Sequence, residues 1–137
     1  MRKRTYVDTN LLIAAWQGQG DLGIRALKVL DDPQRTIVLS RAVWLEVMPK
    51  AIYHQQAIEA AFYQEIFDAV EVREWSIEAL YKAEELAKKY GIAAMDAVHL
   101  AIAIESDVDE FISAEKPQKP MFRVLEILVQ SIRENEV

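Results

Sequence analysis

Cysteine is absent from the 137-residue chain, and histidine occurs only twice. The lack of cysteine excludes disulfide frameworks, thiolate zinc sites and cysteine nucleophiles. The two histidines, His54 and His99, do not form the H-E-x-x-H pattern of a zinc protease. With only 4 glycines and 4 prolines in a chain that is 52% hydrophobic, the composition also excludes collagen-like and disordered proteins.

Long hydrophobic segments are missing as well. No apolar run approaches the roughly 18 residues that a membrane-spanning helix needs. Asp8 interrupts the apolar segment behind the basic start, where a signal peptide needs a continuous one. The length matches one domain, against a typical size of about 150 residues. We therefore expect a single domain over residues 1–137, a cytoplasmic location and no membrane association.

A basic excess is also lacking. The chain carries 16 Lys and Arg against 22 Asp and Glu, a net charge of −6, which on its own argues against a nucleic-acid-binding protein. That argument weakens if some carboxylates hold metal ions, because a bound cation neutralises them locally. Setting aside the four acids described below leaves a net charge of −2.

Hydrophobic patterns predict strands that alternate with helices. Strands are predicted at 5–7, 36–39, 70–73 and 109–113, and helices at 10–16, 21–32, 41–54, 55–68, 76–90 and 95–106. We expect Pro49 to bend or break its helix, and Pro117 and Pro120 to mark a loop. Alternation near the end favours a closing strand at 126–131 over a helix. This order predicts an α/β fold with a mainly parallel sheet.

Four acidic residues stand where chemistry is plausible. Asp8 and Glu115 follow predicted strands, Glu46 is the one acid in an apolar stretch, and Asp96 opens the most apolar helix. Each has a structural alternative. Asp8 can cap a helix, Glu46 can face solvent beside Lys50, Asp96 can complement a helix dipole, and Glu115 can sit in an ordinary loop.

Taken together, the four acids indicate a metal site more strongly than any one of them does alone. A parallel sheet brings the ends of its strands together, and ligands of α/β sheets bind outside those ends. Clustered carboxylates suit Mg²⁺ or Mn²⁺, and such ions can activate water and stabilise the leaving oxygen of a phosphodiester. His99, three residues after Asp96, could add a ligand, although a hydrogen-bonded core histidine is the commoner case.

Four segments in order along the chain resemble the PIN-domain family, and more narrowly the VapC-like toxins of bacterial toxin–antitoxin pairs. They are YVDTN at 6–10, WLEV at 44–47, MDAVHLA at 95–101 and FISAE at 111–115. The resemblance covers almost the whole chain. It implies a three-layer α/β/α fold and an endoribonuclease that depends on Mg²⁺ or Mn²⁺. It also implies a homodimer and a protein antitoxin that covers the active site.

The same resemblance implies roles for individual residues. Asp8, Glu46 and Asp96 match the three core acidic positions, which are both catalytic and metal-binding. Glu115 matches a fourth position at which the family commonly has Asp. This departure keeps the charge but adds a methylene group, so its support of a second ion or of water placement stays open. Asn10 and Ser113 match polar positions that would fix carboxylate geometry through hydrogen bonds.

Nucleic acid and partner contacts have weaker signals. Arg4, Lys116 and Lys119 are candidates to touch an RNA backbone, and solvated surface charge is the alternative for each. The apolar stripes of 21–32 and 50–68 are the predicted antitoxin surface, with core or homodimer packing as the alternative. Two other functions stay open, namely a catalytically weak PIN-fold protein that binds an antitoxin or assembles, and a nuclease that cleaves DNA.

Overall fold

A computed structural model describes residues 2–133. The strands are β1 (Lys3–Val7), β2 (Arg35–Ser40), β3 (Glu71–Arg73), β4 (Glu110–Ser113) and β5 (Leu128–Ser131). The helices are α1 (Thr9–Gln17), α2 (Gly20–Leu30), α3 (Arg41–Tyr53), α4 (Ala57–Ala69), α5 (Ile77–Tyr90) and α6 (Ala94–Glu105), and a 3-10 helix covers Pro120–Arg123. None of the helices in this described range is long and apolar enough to cross a membrane.

The five strands form one sheet in the order β3-β2-β1-β4-β5, and every neighbouring pair is parallel. Right-handed crossovers place α1 to α4 on one face of this sheet and α5 and α6 on the other. The contacts agree, because α1 packs on α2, α3 and α4, whereas α5 packs on α6 and the 3-10 helix. The predicted three-layer α/β/α fold is confirmed.

Burial on both faces explains why the central strands β1 and β2 do not alternate in hydrophobicity. Tyr6 and Val7 are neighbours in β1 and point to opposite faces, and both are fully buried. Val38 and Leu39 in β2 repeat this arrangement. Such continuous apolar runs are typical of parallel sheets with helices on both sides.

Local sequence signals set the ends of the helices. Ser40 and Ser76 cap α3 and α5, since their hydroxyls accept hydrogen bonds from the N–H groups of Val43 (3.4 Å) and Ala79 (3.0 Å). Gly91 ends α5 with a φ of 69°, in the left-handed region that favours glycine. These signals are present in the sequence, which is why the predicted boundaries of α5 agree with the structure to within one residue.

Three predicted details need correction. Pro49 does not break its helix, because α3 runs from Arg41 to Tyr53. Leu45, whose carbonyl Pro49 leaves without its helical partner, is 59% exposed, so water can satisfy it. The predicted loop at Pro120 forms a 3-10 helix instead, with proline in its first turn, where a missing N–H costs nothing. The closing strand exists but is shorter than predicted, at Leu128–Ser131.

The strand order creates one position that suits a ligand. The chain leaves β1 towards β2 on one side and later returns to place β4 on the other side. Val7 pairs with Ile112 at the ends of these two strands. In doubly wound sheets a crevice opens at such a reversal, outside the carboxyl ends of the strands. Asp8 and Ser113 lie at this crevice.

Candidate functional site

Asp8 follows β1 and is almost completely buried, at 2% exposure. One carboxylate oxygen accepts a hydrogen bond of 3.2 Å from the N–H of Leu11 and so caps α1. Burial raises the pKa of Asp8 to about 6, although a hydrogen bond with Ser113 partly offsets the rise. Within residues 2–133, no Lys, Arg or His nitrogen lies within 4.0 Å of this carboxylate. The buried charge is therefore poorly neutralised.

Glu46 reaches the same crevice from α3. Its Oε1 atom accepts a hydrogen bond of 2.6 Å from the hydroxyl of Thr9 and lies 2.6 Å from Nε2 of His99. The hydrogen bond with His99 is the main reason that the pKa of Glu46 lies below its ordinary value. The side chain is 32% exposed, so it borders both the interior and solvent. Its partners are therefore two residues of the site, and the predicted alternative of a pair with Lys50 does not form.

A buried chain of hydrogen bonds holds Glu46 from behind. The hydroxyl of Tyr6 lies 2.8 Å from Nδ1 of His99 and 2.7 Å from the hydroxyl of Ser40. One consistent set of donors runs from Ser40 to Tyr6, from Tyr6 to His99, and from His99 to Glu46. Burial raises the pKa of Tyr6, which keeps its phenol protonated. Sequence reasoning missed Tyr6 and Ser40, and its one signal was the polar His99 in an apolar helix.

Asp96 stands in the first turn of α6, half-buried at the rim of the crevice. Burial is the largest cause that raises the pKa of Asp96, and the charges of Glu115 and Glu46 raise it further. In the described part of the chain Asp96 has neither a hydrogen bond from its side chain nor an ion pair. It is thus a second carboxylate without a cationic partner in contact.

Glu115 is held by partners on both of its oxygens. Asn10 donates a hydrogen bond from Nδ2 to Oε1, and the ammonium of Lys119 lies 2.9 Å from Oε2. The N–H of Glu115 donates to the hydroxyl of Ser113 at 3.0 Å. Asn10 thus contacts the carboxylate of Glu115, whereas Ser113 contacts the main chain of Glu115 and the carboxylate of Asp8.

Asp96 links four acids of the crevice, since its charge raises the pKa of Asp8 and the charges of Glu115 and Glu46 raise the pKa of Asp96. We call Asp8, Glu46, Asp96 and Glu115 the acidic cluster. As placed, no three Asp, Glu or His side chains among residues 2–133 group tightly enough to hold an ion. Two members are turned towards other partners, Glu46 to His99 and Glu115 to Lys119. The oxygen donors and the poorly neutralised Asp8 suit a hard divalent cation. The residues fit such an ion in chemistry, and Glu46 or Glu115 must turn to complete its shell.

The predicted RNA-binding residues fall in different places. Arg4 lies near the amino end of β1, where its guanidinium donates to both oxygens of Glu71 (2.8 and 3.0 Å) and to the carbonyl of Ser106 (3.0 Å). That position is at the opposite end of the strand from Asp8, and its guanidinium is engaged by Glu71 and Ser106. Lys119 and Lys116 lie in the loop after β4, next to the acidic cluster.

Solved structures with the same fold cover nearly all of this chain. VapBC2 from Rickettsia felis bound to a promoter DNA fragment has a TM-score of 0.73 at 15% identity, covering 95% of this chain and 99% of that chain. DNA-bound VapBC from Salmonella typhimurium gives 0.72 at 15% identity, with 96% and 98% covered. A toxin–antitoxin complex from Klebsiella pneumoniae gives 0.69 at 22% identity, with 90% and 95% covered. No curated protein sequence matches the chain.

The family itself is shown by sequence. The model of the PIN domain matches residues 5–118, a segment that contains every member of the acidic cluster, the last three residues of β1 and the whole of β2, β3 and β4. The crevice beside β1 and β4 therefore lies wholly inside the matched segment. On this evidence the chain belongs to the PIN-domain family.

Proposed function

We propose that the protein is a metal-dependent endoribonuclease and the toxin of a toxin–antitoxin pair. The observation that carries this proposal is Asp8, a buried carboxylate that no cationic side chain of residues 2–133 contacts, placed at the reversal point of a parallel sheet. An uncompensated buried charge is costly unless a bound cation offsets it. The other three acids add their charge to the same crevice, so the site as a whole attracts a cation.

Asp8, Glu46 and Asp96 would hold Mg²⁺ or Mn²⁺, with Glu115 in support. Bound there, the ion would activate water and neutralise charge on the leaving oxygen of a phosphodiester. The chain's own residues prepare this site. Thr9 and His99 fix one oxygen of Glu46, and such supporting contacts orient carboxylates for a metal.

We propose RNA as the substrate because of the family resemblance. The proposal does not rest on a residue that recognises the 2′-hydroxyl. Lys116 and Lys119 are proposed to contact the phosphate backbone, which carries no sequence information. DNA cleavage by the same acids is the competing function. The first experiment must therefore offer both nucleic acids.

The test is cleavage of matched single-stranded RNA and DNA by the purified protein with Mg²⁺, Mn²⁺ or EDTA. We expect RNA cleavage that requires the metal. Asp8→Asn and Asp96→Asn should each lower the rate by about 10³-fold or more, because several kcal/mol of metal assistance is lost, while circular dichroism shows an intact fold. Cleavage of DNA alone would support the DNA nuclease, and no cleavage of either would support the weak interaction module.

An antitoxin partner is proposed on two grounds. The structural neighbours named above include VapBC proteins and a toxin–antitoxin complex, and this chain exposes large apolar residues on the predicted surface. Ile52, Tyr53 and Ile58 are 63%, 82% and 78% exposed. A groove of about 300 Å³ between α2 and α4 lies on the same face, lined by Leu27 and Phe62 among others. A homodimer stays a prediction of the resemblance.

Co-expression with the protein encoded next to it tests the partner. We expect the two to co-purify and the nuclease to be inhibited. Ile58→Asp should weaken the complex, because it places a charge in the apolar surface. Ile77→Asp, a matched change at an exposed isoleucine on α5, should leave the complex intact. Recovery of the chain alone, with no effect of its neighbour on RNA cleavage, would contradict the toxin–antitoxin proposal.

A further inference from the structure

A second cavity lies beside the acidic cluster and has the opposite charge. Its volume is about 450 Å³, and the start of α2, the loop after β4 and the residue after Ile132 form its walls. Among the residues 2–133 that line it, three are cationic and one is acidic: Arg25, Lys116, Arg133 and Asp21. The cavity is within the size range of ligand sites, roughly 300–1,000 Å³. In a chain with a net charge of −6, such a concentration of positive charge calls for an explanation.

The cavity walls are fixed by hydrogen bonds to the main chain. Arg133 donates from Nε to the carbonyl of Ala114 at 2.6 Å, and Arg25 donates to the carbonyl of Ile132 at 3.2 Å. Ile132 donates from its N–H to the carbonyl of Ser113 at 2.9 Å. A guanidinium has five N–H donors in a rigid fork, so an arginine anchored at one nitrogen keeps an orientation that suits phosphate. Lys116 is exposed at the mouth and supplies a mobile charge.

A smaller cavity of about 180 Å³ connects this region to the acidic cluster. It shares Leu22 and Arg133 with the cationic cavity, and it contains Asn10 and Glu115 from the site described above. The same strand exit carries both regions, since Ala114 and Glu115 are adjacent in sequence. The small cavity therefore adjoins both the acidic cluster and the cationic cavity.

We infer that the cationic cavity is a binding subsite for a backbone phosphate of the substrate strand, next to the phosphodiester that is cleaved. This inference rests on the proposed nuclease function and adds where the strand leaves the reaction centre. The acids and their ion take the reacting phosphodiester, and Lys116 and Arg133 neutralise a neighbouring phosphate. Because the contact recognises charge and not base edges, it acts on any sequence. It also explains how an acidic protein holds a polyanion.

Fluorescence anisotropy of a labelled single-stranded RNA tests the subsite, with EDTA present so that no cleavage occurs. The variants are Lys116→Gln, Lys116→Glu and Arg133→Gln, with Lys88→Gln as the control at an exposed lysine on α5. We expect the Kd to rise about threefold to tenfold for Lys116→Gln and more for Lys116→Glu. The slope of log Kd against log salt should fall by about 0.7 for each cation removed, the value for a phosphate contact in a single strand. Lys88→Gln should match the wild type in both quantities.

The outcomes separate this inference from the proposed function. Wild-type RNA cleavage, together with Kd values and salt slopes for the Lys116 and Arg133 variants that equal the control, would overturn the subsite and leave the nuclease intact. The cationic cavity would then be a candidate binding site for acidic side chains of a protein partner. The reverse result, with weakened binding in the variants but no cleavage by the wild type under any metal, would overturn the nuclease and keep a nucleic-acid-binding site.

Discussion

The two ends of the sheet each hold a buried carboxylate, Glu110 at the amino end and Asp8 at the carboxyl end, with exposures of 1% and 2%. Glu110 is surrounded by donors, since Thr5 donates at 2.7 Å, Arg35 donates at 3.0 Å and the ammonium of Lys3 lies at 3.9 Å. Asp8 has an N–H and a hydroxyl but no cation in contact. Two carboxylates that are equally buried are therefore neutralised to different degrees in one molecule.

Under the proposed function, this difference separates a structural acid from a functional one. A buried carboxylate with cations in hydrogen-bond contact is neutralised within the fold. A buried carboxylate without them is costly to ionise, so its pKa rises, and a bound cation would offset that cost. Burial and residue type are the same in both cases, so the partners alone decide which role each acid has. The following experiments measure that distinction.

The largest effect on stability is expected at the amino end. Glu110→Gln should lower the free energy of unfolding by about 3 kcal/mol, because it removes the buried carboxylate that Arg35 contacts at 3.0 Å and leaves Arg35 only the more exposed Asp32 at 3.4 Å. Glu71→Gln is the matched control, since it breaks the more exposed pair with Arg4 at the same end and should cost about 1 kcal/mol or less. Urea unfolding at pH 7.5 measures both. Equal losses would show that burial does not distinguish the two pairs.

The opposite sign is expected at the carboxyl end. The pKa of Asp8 is raised to about 6 in the fold, so the folded state binds its proton more tightly than the unfolded state. Ionisation therefore costs stability, with a penalty that grows between about pH 4 and pH 6 and reaches about 3 kcal/mol above that range. Asp8→Asn removes this charge and keeps a cap for α1.

The metal-free Asp8→Asn protein should accordingly be more stable than the wild type at pH 7.5. The gain should disappear towards pH 4. Thermal unfolding in EDTA across this pH range provides the measurement. A variant that is less stable than the wild type at pH 7.5 would mean that the carboxylate of Asp8 is already neutralised within the fold.

A smaller loss is expected from the hydrogen-bond chain behind Glu46. Tyr6→Phe should destabilise the fold by about 1–3 kcal/mol, because it leaves Nδ1 of His99 and the hydroxyl of Ser40 each with one buried hydrogen bond unmade. Tyr63→Phe is the control, since Tyr63 is equally buried but donates to Glu59 in a partly exposed pair. Its loss should be about 0.5–1 kcal/mol. If the two variants lose the same stability, the hydrogen bonds that link Ser40 to Glu46 contribute no more to stability than the single hydrogen bond of Tyr63.

The smallest effect concerns Glu115, which combines features of both ends because it belongs to the acidic cluster and pairs with Lys119. Glu115→Asp should change the apparent Mn²⁺ affinity by about twofold, because water can bridge the shorter reach. Glu115→Gln should weaken it about tenfold, which corresponds to about 1.4 kcal/mol of lost charge interaction. Mn²⁺ titration by isothermal calorimetry gives the values. Three superimposable titrations would remove Glu115 from the ion's surroundings.

Much of the fold could be predicted because its signals are local. The apolar runs of β1 and β2, the cap at Ser76 and the glycine at Gly91 each act within a few residues, and the structure agrees with them. The order β3-β2-β1-β4-β5 could not be predicted in this way, since strand pairing depends on contacts across the whole chain. The 3-10 helix at Pro120–Arg123 was missed because two prolines are also typical of an irregular loop.

The candidate site, like the fold, could be predicted where its signals are local and not where they depend on distant residues. The positions of Asp8 and Glu115 after strands, and of Glu46 and Asp96 on helices that start near the same sheet edge, were visible in the sequence, and we expected parallel strands to bring them to one crevice. Their individual partners were not visible. His99 meets Glu46 across 53 residues and Tyr6 across 93, and no local pattern encodes such contacts.

The central position of β1 has a consequence for how the protein assembles during its synthesis. This strand is made first, yet its partner β4 begins about a hundred residues later, with Thr5 opposite Glu110. At a synthesis rate of 5–20 residues per second, the ribosome needs roughly 5 to 20 seconds to span that interval. During this time Asp8 has neither Ser113 nor Glu115 beside it. A growing chain therefore cannot assemble the acidic cluster, and with it the proposed ion site, until β4 and the residues that follow it have been synthesised.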